Sequence, residues 1–231
     1  MKITAIHSKH GGSTRAIATM LLNEIKKQEP GTEADEFTVA GFPSCAGCFT
    51  CFAKGEEHCP HYEQVHPVIS SIERADVVIL DSPTYCMGIS GSMQSFLEHL
   101  GYRWLLHRPH PAMTSKIGVA ISTTGGVGAK GVTKSLGKNF WGWGAAKSYR
   151  LAFSVMATNW NDITEEKKLE ILRRTEIIAR KTVKKAGKAK RGLSKRVTFF
   201  MMKRMMKKLD TLPDWFALDK TWWRRYGWIK E

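Results

Sequence analysis

Asp76-Val77-Val78-Ile79-Leu80-Asp81-Ser82, running on into Pro83-Thr84-Tyr85-Cys86-Met87-Gly88-Ile89-Ser90-Gly91, decides the fold. An unbroken apolar run bounded by polar residues is what a central parallel strand needs when both of its faces are covered. After it, Met93, Phe96, Leu97 and Leu100 recur at helical spacing. Outward from this pair the pattern repeats. Lys2–His7 reads as a first strand, followed by a helix carrying Ala16, Ile17, Met20, Leu21 and Ile25. Glu33–Val39 reads as a second, partly polar strand suited to a sheet edge. Glu63–Arg74 reads as a helix with Val65, Val68, Ile69 and Ile72 on its buried face, Pro67 falling in its first turns. Lys116–Thr123 gives a fourth strand and Ser148–Met156 a fifth. A long helix is expected from Asp162, whose Asp162-x-x-Glu165 start resembles a capping box, to Lys185. Strands alternating with helices imply an α/β chain with a five-stranded, doubly wound parallel sheet.

Such sheets take their ligands at the C-terminal ends of the strands. Three loops there have unusual chemistry. Ser8-Lys9-His10-Gly11-Gly12-Ser13-Thr14 follows the first strand and opens a helix, an arrangement that offers backbone N–H groups, hydroxyls and a helix N-terminus to a phosphate. The same stretch is compatible with an ordinary strand–helix turn capped by Ser13. Pro83-Thr84-Tyr85-Cys86-Met87-Gly88 follows the third strand, and Thr123-Thr124-Gly125-Gly126 the fourth. These two can flank a flat aromatic ring. The spacing of none of the three fits a dinucleotide fingerprint or a P-loop. Cys86 is read as a small residue fitting a tight space, with a redox thiol as the alternative.

A second constellation lies after the second strand. Four of the five cysteines, Cys45, Cys48, Cys51 and Cys59, fall within fifteen positions as Cys-x2-Cys-x2-Cys-x7-Cys. Thiolates are soft ligands, and the set suits an iron–sulfur cluster or zinc. The compact triple favours iron–sulfur, because structural zinc sites usually come as two separated pairs. Thiols that are merely buried or that form adventitious disulfides are the plainer reading.

The formal charge of +15 divides unevenly. Residues 1–180 hold 20 Lys+Arg against 17 Asp+Glu, a net +3, whereas residues 181–231 hold 16 against 4, a net +12. Basicity therefore belongs to the tail. Its Lys184–Gly192 linker leads to an expected helix with Phe199, Met202, Met205, Met206 and Leu209 on one face and Arg196, Lys203, Arg204, Lys207 and Lys208 on the other. Trp215, Phe216, Trp222, Trp223, Tyr226 and Trp228 follow, among Asp210, Asp214 and Asp219. The tail admits three readings, taken in this order: packing on the body or a partner subunit, peripheral contact with an anionic membrane through 194–231, and nucleic-acid binding, which is not expected. No apolar run reaches membrane-span length and no export signal is read, so a cytoplasmic protein is expected.

Together the three loops and the cysteine set resemble the flavodoxin-like NADPH-dependent FMN reductase family, and within it the iron–sulfur flavoproteins, over roughly residues 1–180. The resemblance implies a flavodoxin-like FMN-binding domain over 1–185 and an extension over 186–231. It implies FMN bound by Ser8, Gly11, Gly12, Ser13 and Thr14 at the phosphate, and by Pro83, Thr84, Tyr85, Cys86, Met87, Gly88, Thr123, Thr124, Gly125 and Gly126 around the ring. It implies a [4Fe–4S] cluster at Cys45, Cys48, Cys51 and Cys59. The expected activity is that of an oxidoreductase, with NAD(P)H or an electron-carrier protein as donor, a small-molecule acceptor such as a quinone, and a homodimeric or homotetrameric assembly. No general acid or base is expected, because the flavin carries the chemistry. The rival expectation is a flavodoxin-like module with a zinc-bound or metal-free cysteine loop that docks through its tail.

Overall fold

The computed structural model describes residues 1–208 and 217–230. Five parallel strands, β1 (Lys2–His7), β2 (Glu33–Thr38), β3 (Val77–Asp81), β6 (Ile117–Thr124) and β7 (Lys147–Ser154), form one sheet in the order β2-β1-β3-β6-β7. The polar β2 lies at the edge, where its exposed Glu33, Asp35 and Glu36 meet solvent. The apolar β3 sits at the centre and is buried throughout.

Period-two alternation sends neighbouring residues of β3 to opposite faces. Val78 and Leu80 pack with α3 (Tyr62–Arg74), α4 (Gly91–Glu98) and α5 (Ala129–Gly142). Val77 and Ile79 pack with α1 (Ser13–Gln28) and α6 (Glu165–Lys185). The two faces thus hold separate apolar layers, each covered by helices, as a doubly wound sheet requires.

Several local expectations are corrected. The N-cap of α6 is Thr164, whose hydroxyl accepts the Lys167 N–H at 3.3 Å, so the helix begins three residues after Asp162. Ser13 does not cap α1. Gly12 holds that position with φ 95° and no side-chain hydrogen bond, leaving the helix end open. Leu100 lies beyond α4, whereas Pro67, the sixth residue of α3, falls in its first turns as read. The sequence reading also passed over α5 and a hairpin formed by β4 (Thr84–Tyr85) and β5 (Gly88–Ile89).

The extension forms α7 (Leu193–Lys208) and α8 (Ala217–Arg225). Phe199, Met202 and Met206 pack with Trp222, Trp223, Trp228 and Ile229 in a third apolar cluster. The indole N–H groups of Trp222 and Trp223 donate to the carbonyls of Pro109 and His107 at 2.8 and 2.6 Å, tying α8 to the body. Met205 is half-buried and outside that cluster. Leu209, Asp210, Asp214, Trp215 and Phe216 lie outside the described residues. No helix among the described residues is long and apolar enough to cross a membrane.

Candidate functional site

Parallel pairing levels the ends of β1, β3 and β6, so their following loops meet on one rim. A cleft there encloses about 800 Å³ of space open to solvent. Of the residues picked out from the sequence, Ser8, Gly11, Gly12, Ser13, Thr14, Pro83, Thr84, Tyr85, Thr123, Thr124 and Gly125 line it, whereas Cys86, Met87, Gly88 and Gly126 do not. Lys9, Arg15, Asp81, Val155, Ala157 and Thr158 also line it and were missed. Lys9, Arg15 and Asp81 flank the motifs that were read, and the turn after β7 had drawn no attention.

The first loop is built for an anion. The open N-terminus of α1 faces the cleft with its dipole's positive end. The hydroxyls of Ser8 and Ser13 are buried and lack a hydrogen-bond partner among the described residues. Buried polar groups are normally paired, so two orphans in one loop mark a place for acceptor oxygens. Thr14 and Thr123 share a hydrogen bond of 2.6 Å, which ties the first loop to the third. Lys9 donates to the Tyr85 hydroxyl at 2.8 Å, tying the first to the second. The donor set therefore fits a phosphate-bearing ligand, and the Tyr85 ring lines the same cleft.

Beneath the loop, His7 and Asp81 pair at the strand ends, both buried. The other ring nitrogen of His7 meets Glu36 at 3.1 Å, and Arg15 lies 3.5 Å from the same carboxylate. Asp81 also accepts the Ser8 N–H at 3.4 Å. One carboxylate thus binds the loop's first amide to the sheet.

The second loop is a tight hairpin. Both central residues have positive φ, Cys86 at 48° and Met87 at 63°. Two-residue hairpin turns demand that geometry, usually from Asn and Gly. Cys86 is exposed at the tip, which overturns the expectation that it fills a tight space. Gly128, with φ 108°, backs the hairpin: a Cβ there would lie 2.8 Å from the Thr84 methyl carbon.

The cysteine loop makes a second cavity, of about 530 Å³, lined by Cys45, Cys48, Cys51 and Cys59 together with His61 and His99. All five cysteines of the chain are free, so the disulfide reading falls. Burial is the main force pushing the Cys51 thiol up to about 11, and the three neighbouring thiols add to it. The exposed Cys48 is lowered by hydrogen bonds from Thr50. His99 donates from Nε2 to the Pro43 carbonyl at 3.1 Å, because a carbonyl can only accept. In the neutral ring Nδ1 is then the lone-pair nitrogen, and it faces the Cys59 sulfur at 4.0 Å. The donor atoms of Cys59, His61 and His99 lie within 4.8 Å of one another, the spread of a single-ion site. The four sulfurs share a wider cavity, as a cluster's ligands must, so the donor set is compatible with either occupant. The two histidines went unnoticed in the sequence. Cys59-x-His61 is a local signal, but His99 is forty residues away.

Arg108 secures this loop. It is buried, donates to the Cys51 carbonyl, and pairs with Glu56 at 3.1 Å and with Asp219 of α8 at 3.3 Å. Asp219, fully buried, also takes His107 at 2.7 Å.

Residues 1–159 match the family described as NADPH-dependent FMN reductase. Among curated proteins, an iron-sulfur flavoprotein of Archaeoglobus fulgidus is 28% identical over 120 residues, covering 52% of this chain and 51% of that protein. An FMN-dependent NADH:quinone oxidoreductase of Pelagibacter ubique is 31% identical over 108 residues, covering 42% and 55%. The chain spans about half the length of the curated relatives it matches. Among solved structures, an azoreductase from Bacillus anthracis str. Sterne superposes with a TM-score of 0.62 at 15% identity, covering 78% of this chain and 99% of that one. An FMN-dependent NADH-azoreductase from Bacillus anthracis str. Ames Ancestor, solved with FMN, gives 0.58 at 9% identity, covering 79% and 100%. At such identities the structures speak for the fold alone, which they share with this chain. The family match covers well over half of the sequence, strand ends and loops included, and the chain belongs to the NADPH-dependent FMN reductase family.

Proposed function

We propose that this chain is an FMN-dependent oxidoreductase, fed by NAD(P)H or an electron-carrier protein, that reduces a small acceptor such as a quinone. The observation that carries this is the pair of orphaned hydroxyls, Ser8 and Ser13, at an uncapped helix start in the rim cleft. In this reading Ser8, Gly11, Gly12, Ser13 and Thr14 hold the phosphate. Pro83, Thr84 and Tyr85 would hold the ring together with Thr123, Thr124 and Gly125, all of which line the cleft. Cys86, Met87 and Gly88 make the hairpin turn and Gly126 lies in the third loop, all outside the cleft lining. When bound, FMN supplies the hydride and electron chemistry. The chain's own work is to bind it, orient it and set its surroundings, and no side chain is assigned a proton-transfer step. The free thiols suit a reducing compartment, for which we take the cytoplasm. A homodimer or homotetramer would bring flavin and cysteine cavities of neighbouring subunits together.

For the cysteine cavity we propose a [4Fe–4S] cluster on Cys45, Cys48, Cys51 and Cys59, supported by four thiols sharing one cavity and by the names of the iron–sulfur relatives. A single zinc-type ion is the second reading, favoured by Cys59, His61 and His99. Anaerobic purification, reconstitution with FMN, iron and sulfide, and a visible spectrum with metal analysis test both. Flavin bands and a brown absorbance bleached by dithionite, with iron lost in Cys48→Ser while FMN stays, are the expected result. One equivalent of zinc and no bound iron assigns the second reading. Protein that retains no FMN overturns the oxidoreductase itself.

A further inference from the structure

Helix α7 has two apolar faces, and the fold uses one. Phe199 stacks on Trp223 with ring centres 5.1 Å apart, and Met206 is fully buried beside it. The other face carries Leu193, Val197, Phe200 and Met201 at i, i+4, i+7 and i+8. These side chains are 76%, 49%, 60% and 58% exposed. Four large apolar residues forming one stripe on a helix, each about half or more exposed among the described residues, are not the scatter of single residues that a surface tolerates.

Charge identifies the occupant. Residues 186–208 contain nine Lys and Arg and no Asp or Glu. Lys195 is spent on the carbonyls of Ala145 and Ala146, and Arg191 lies over the Phe199 ring. Lys188, Lys190, Arg196, Arg204, Lys207 and Lys208 remain exposed around the stripe. A second copy docking through the same face would bring these cations together, and residues 186–208 offer no carboxylate to meet them. A surface that is anionic outside and apolar just beneath satisfies both parts, which is the chemistry of an anionic bilayer interface. We propose that α7 docks this chain peripherally on anionic lipid, with Leu193, Val197, Phe200 and Met201 entering the acyl boundary and the flanking cations meeting headgroup phosphates.

The placement leaves the rim free. Lys195 fixes α7 at the start of β7, whereas the cleft lies at the strand C-termini. A lipid-docked chain therefore keeps its cleft open to donor and acceptor, and the proposal stands whether or not that cleft holds a flavin.

The test is flotation of the full-length chain with vesicles of phosphatidylglycerol and phosphatidylcholine, against phosphatidylcholine alone, at low and high salt. Two variants accompany it, Phe200→Ser with Met201→Ser, and Arg204→Gln with Lys207→Gln and Lys208→Gln. Their melting temperatures and rim-cleft activity should match the parent, since all five side chains lie on α7, outside the cleft. The parent should float with the anionic vesicles only. The charge variant should bind them about a hundredfold more weakly, and high salt should mimic it. The apolar variant should lose stable association even at low salt. No flotation of the parent, or flotation unchanged in the apolar variant, overturns the proposal. So does a parent dimer, seen by light scattering, that becomes monomeric in the apolar variant, which would assign the face to a second copy.

Discussion

His7 and Asp81 are register partners at the C-terminal ends of β1 and β3, and their side chains pair in the fully buried layer directly beneath the phosphate-type loop. The contact joins the two strands that carry the first and second loops of the cleft. Through the Ser8 N–H, Asp81 joins the loop as well. A carboxylate so placed is a positioning group, because it fixes where the loop's donors point.

Asp81→Asn tests this. The amide keeps the volume but removes the charge opposite His7 and weakens the bond from Ser8. Loss of a buried charge-assisted hydrogen bond should cost about 1.5–3 kcal/mol of stability, read as a lower midpoint in denaturant. FMN affinity, measured by quenching of flavin fluorescence, should fall by about tenfold or more if the loop loses its pre-organised form. Asp76→Asn is the control, since the Asp76 carboxylate accepts the exposed Lys2 N–H at the opposite strand ends, away from the loop. A variant with lower stability but unchanged FMN affinity would make Asp81 a structural residue and nothing more.

The cysteine loop should titrate unevenly in metal-free protein. The thiolate is the nucleophile, so a lowered thiol reacts early and a raised one late. Cys48, lowered and exposed, should take iodoacetamide first at pH 8. Cys51, near 11, then has only about one thiolate in a thousand at pH 8, and its labelling should climb steadily up to that value. The folded state binds the Cys51 proton more tightly than the unfolded chain, with its ordinary 9.0, so folding loses this contribution as pH rises from 9 towards 11. Peptide mass mapping across pH 7–10 reads the order directly. Equal labelling of Cys48 and Cys51 at pH 8 contradicts the burial of Cys51.

The sheet was legible because its physics is local. Val77 to Leu80 must be apolar on both faces, and the glycine and hydroxyl runs after β1 and β6 announce themselves. Three other features were hidden, each for its own reason. The hairpin tip uses Cys86 and Met87, neither a turn former, so tertiary packing against Gly128 imposes what composition does not suggest. In α5, Val132, Leu136 and Phe140 recur every fourth residue, but Gly131, Gly137 and Gly142 dilute the signal. His99 beside Cys59, and Asp219 beside Arg108, are long-range pairings that no local window contains. The tail's aromatics could be counted but not placed until the fold put their indole N–H groups on the carbonyls of residues 107 and 109.

Asp219 gives the extension its specific attachment, and its removal separates two ways the tail can be held. In Asp219→Ala, His107 and Arg108 lose the carboxylate they share in a buried position. Breaking such a pair from one side typically costs about 3–5 kcal/mol. If the ion pair dominates, α8 should loosen, trypsin should cut more quickly within 186–208, and Cys51 should label faster, because Arg108 also holds the Cys51 carbonyl. The double variant Trp222→Phe with Trp223→Phe tests the other contribution by removing the indole N–H donors together with part of each ring's packing in the aromatic cluster. A tail that stays protease-resistant in Asp219→Ala but opens in the tryptophan variant would show that the aromatic cluster holds α8 in place. The buried charge would then serve the cysteine loop through Arg108, and Cys51 labelling should still change while the tail does not.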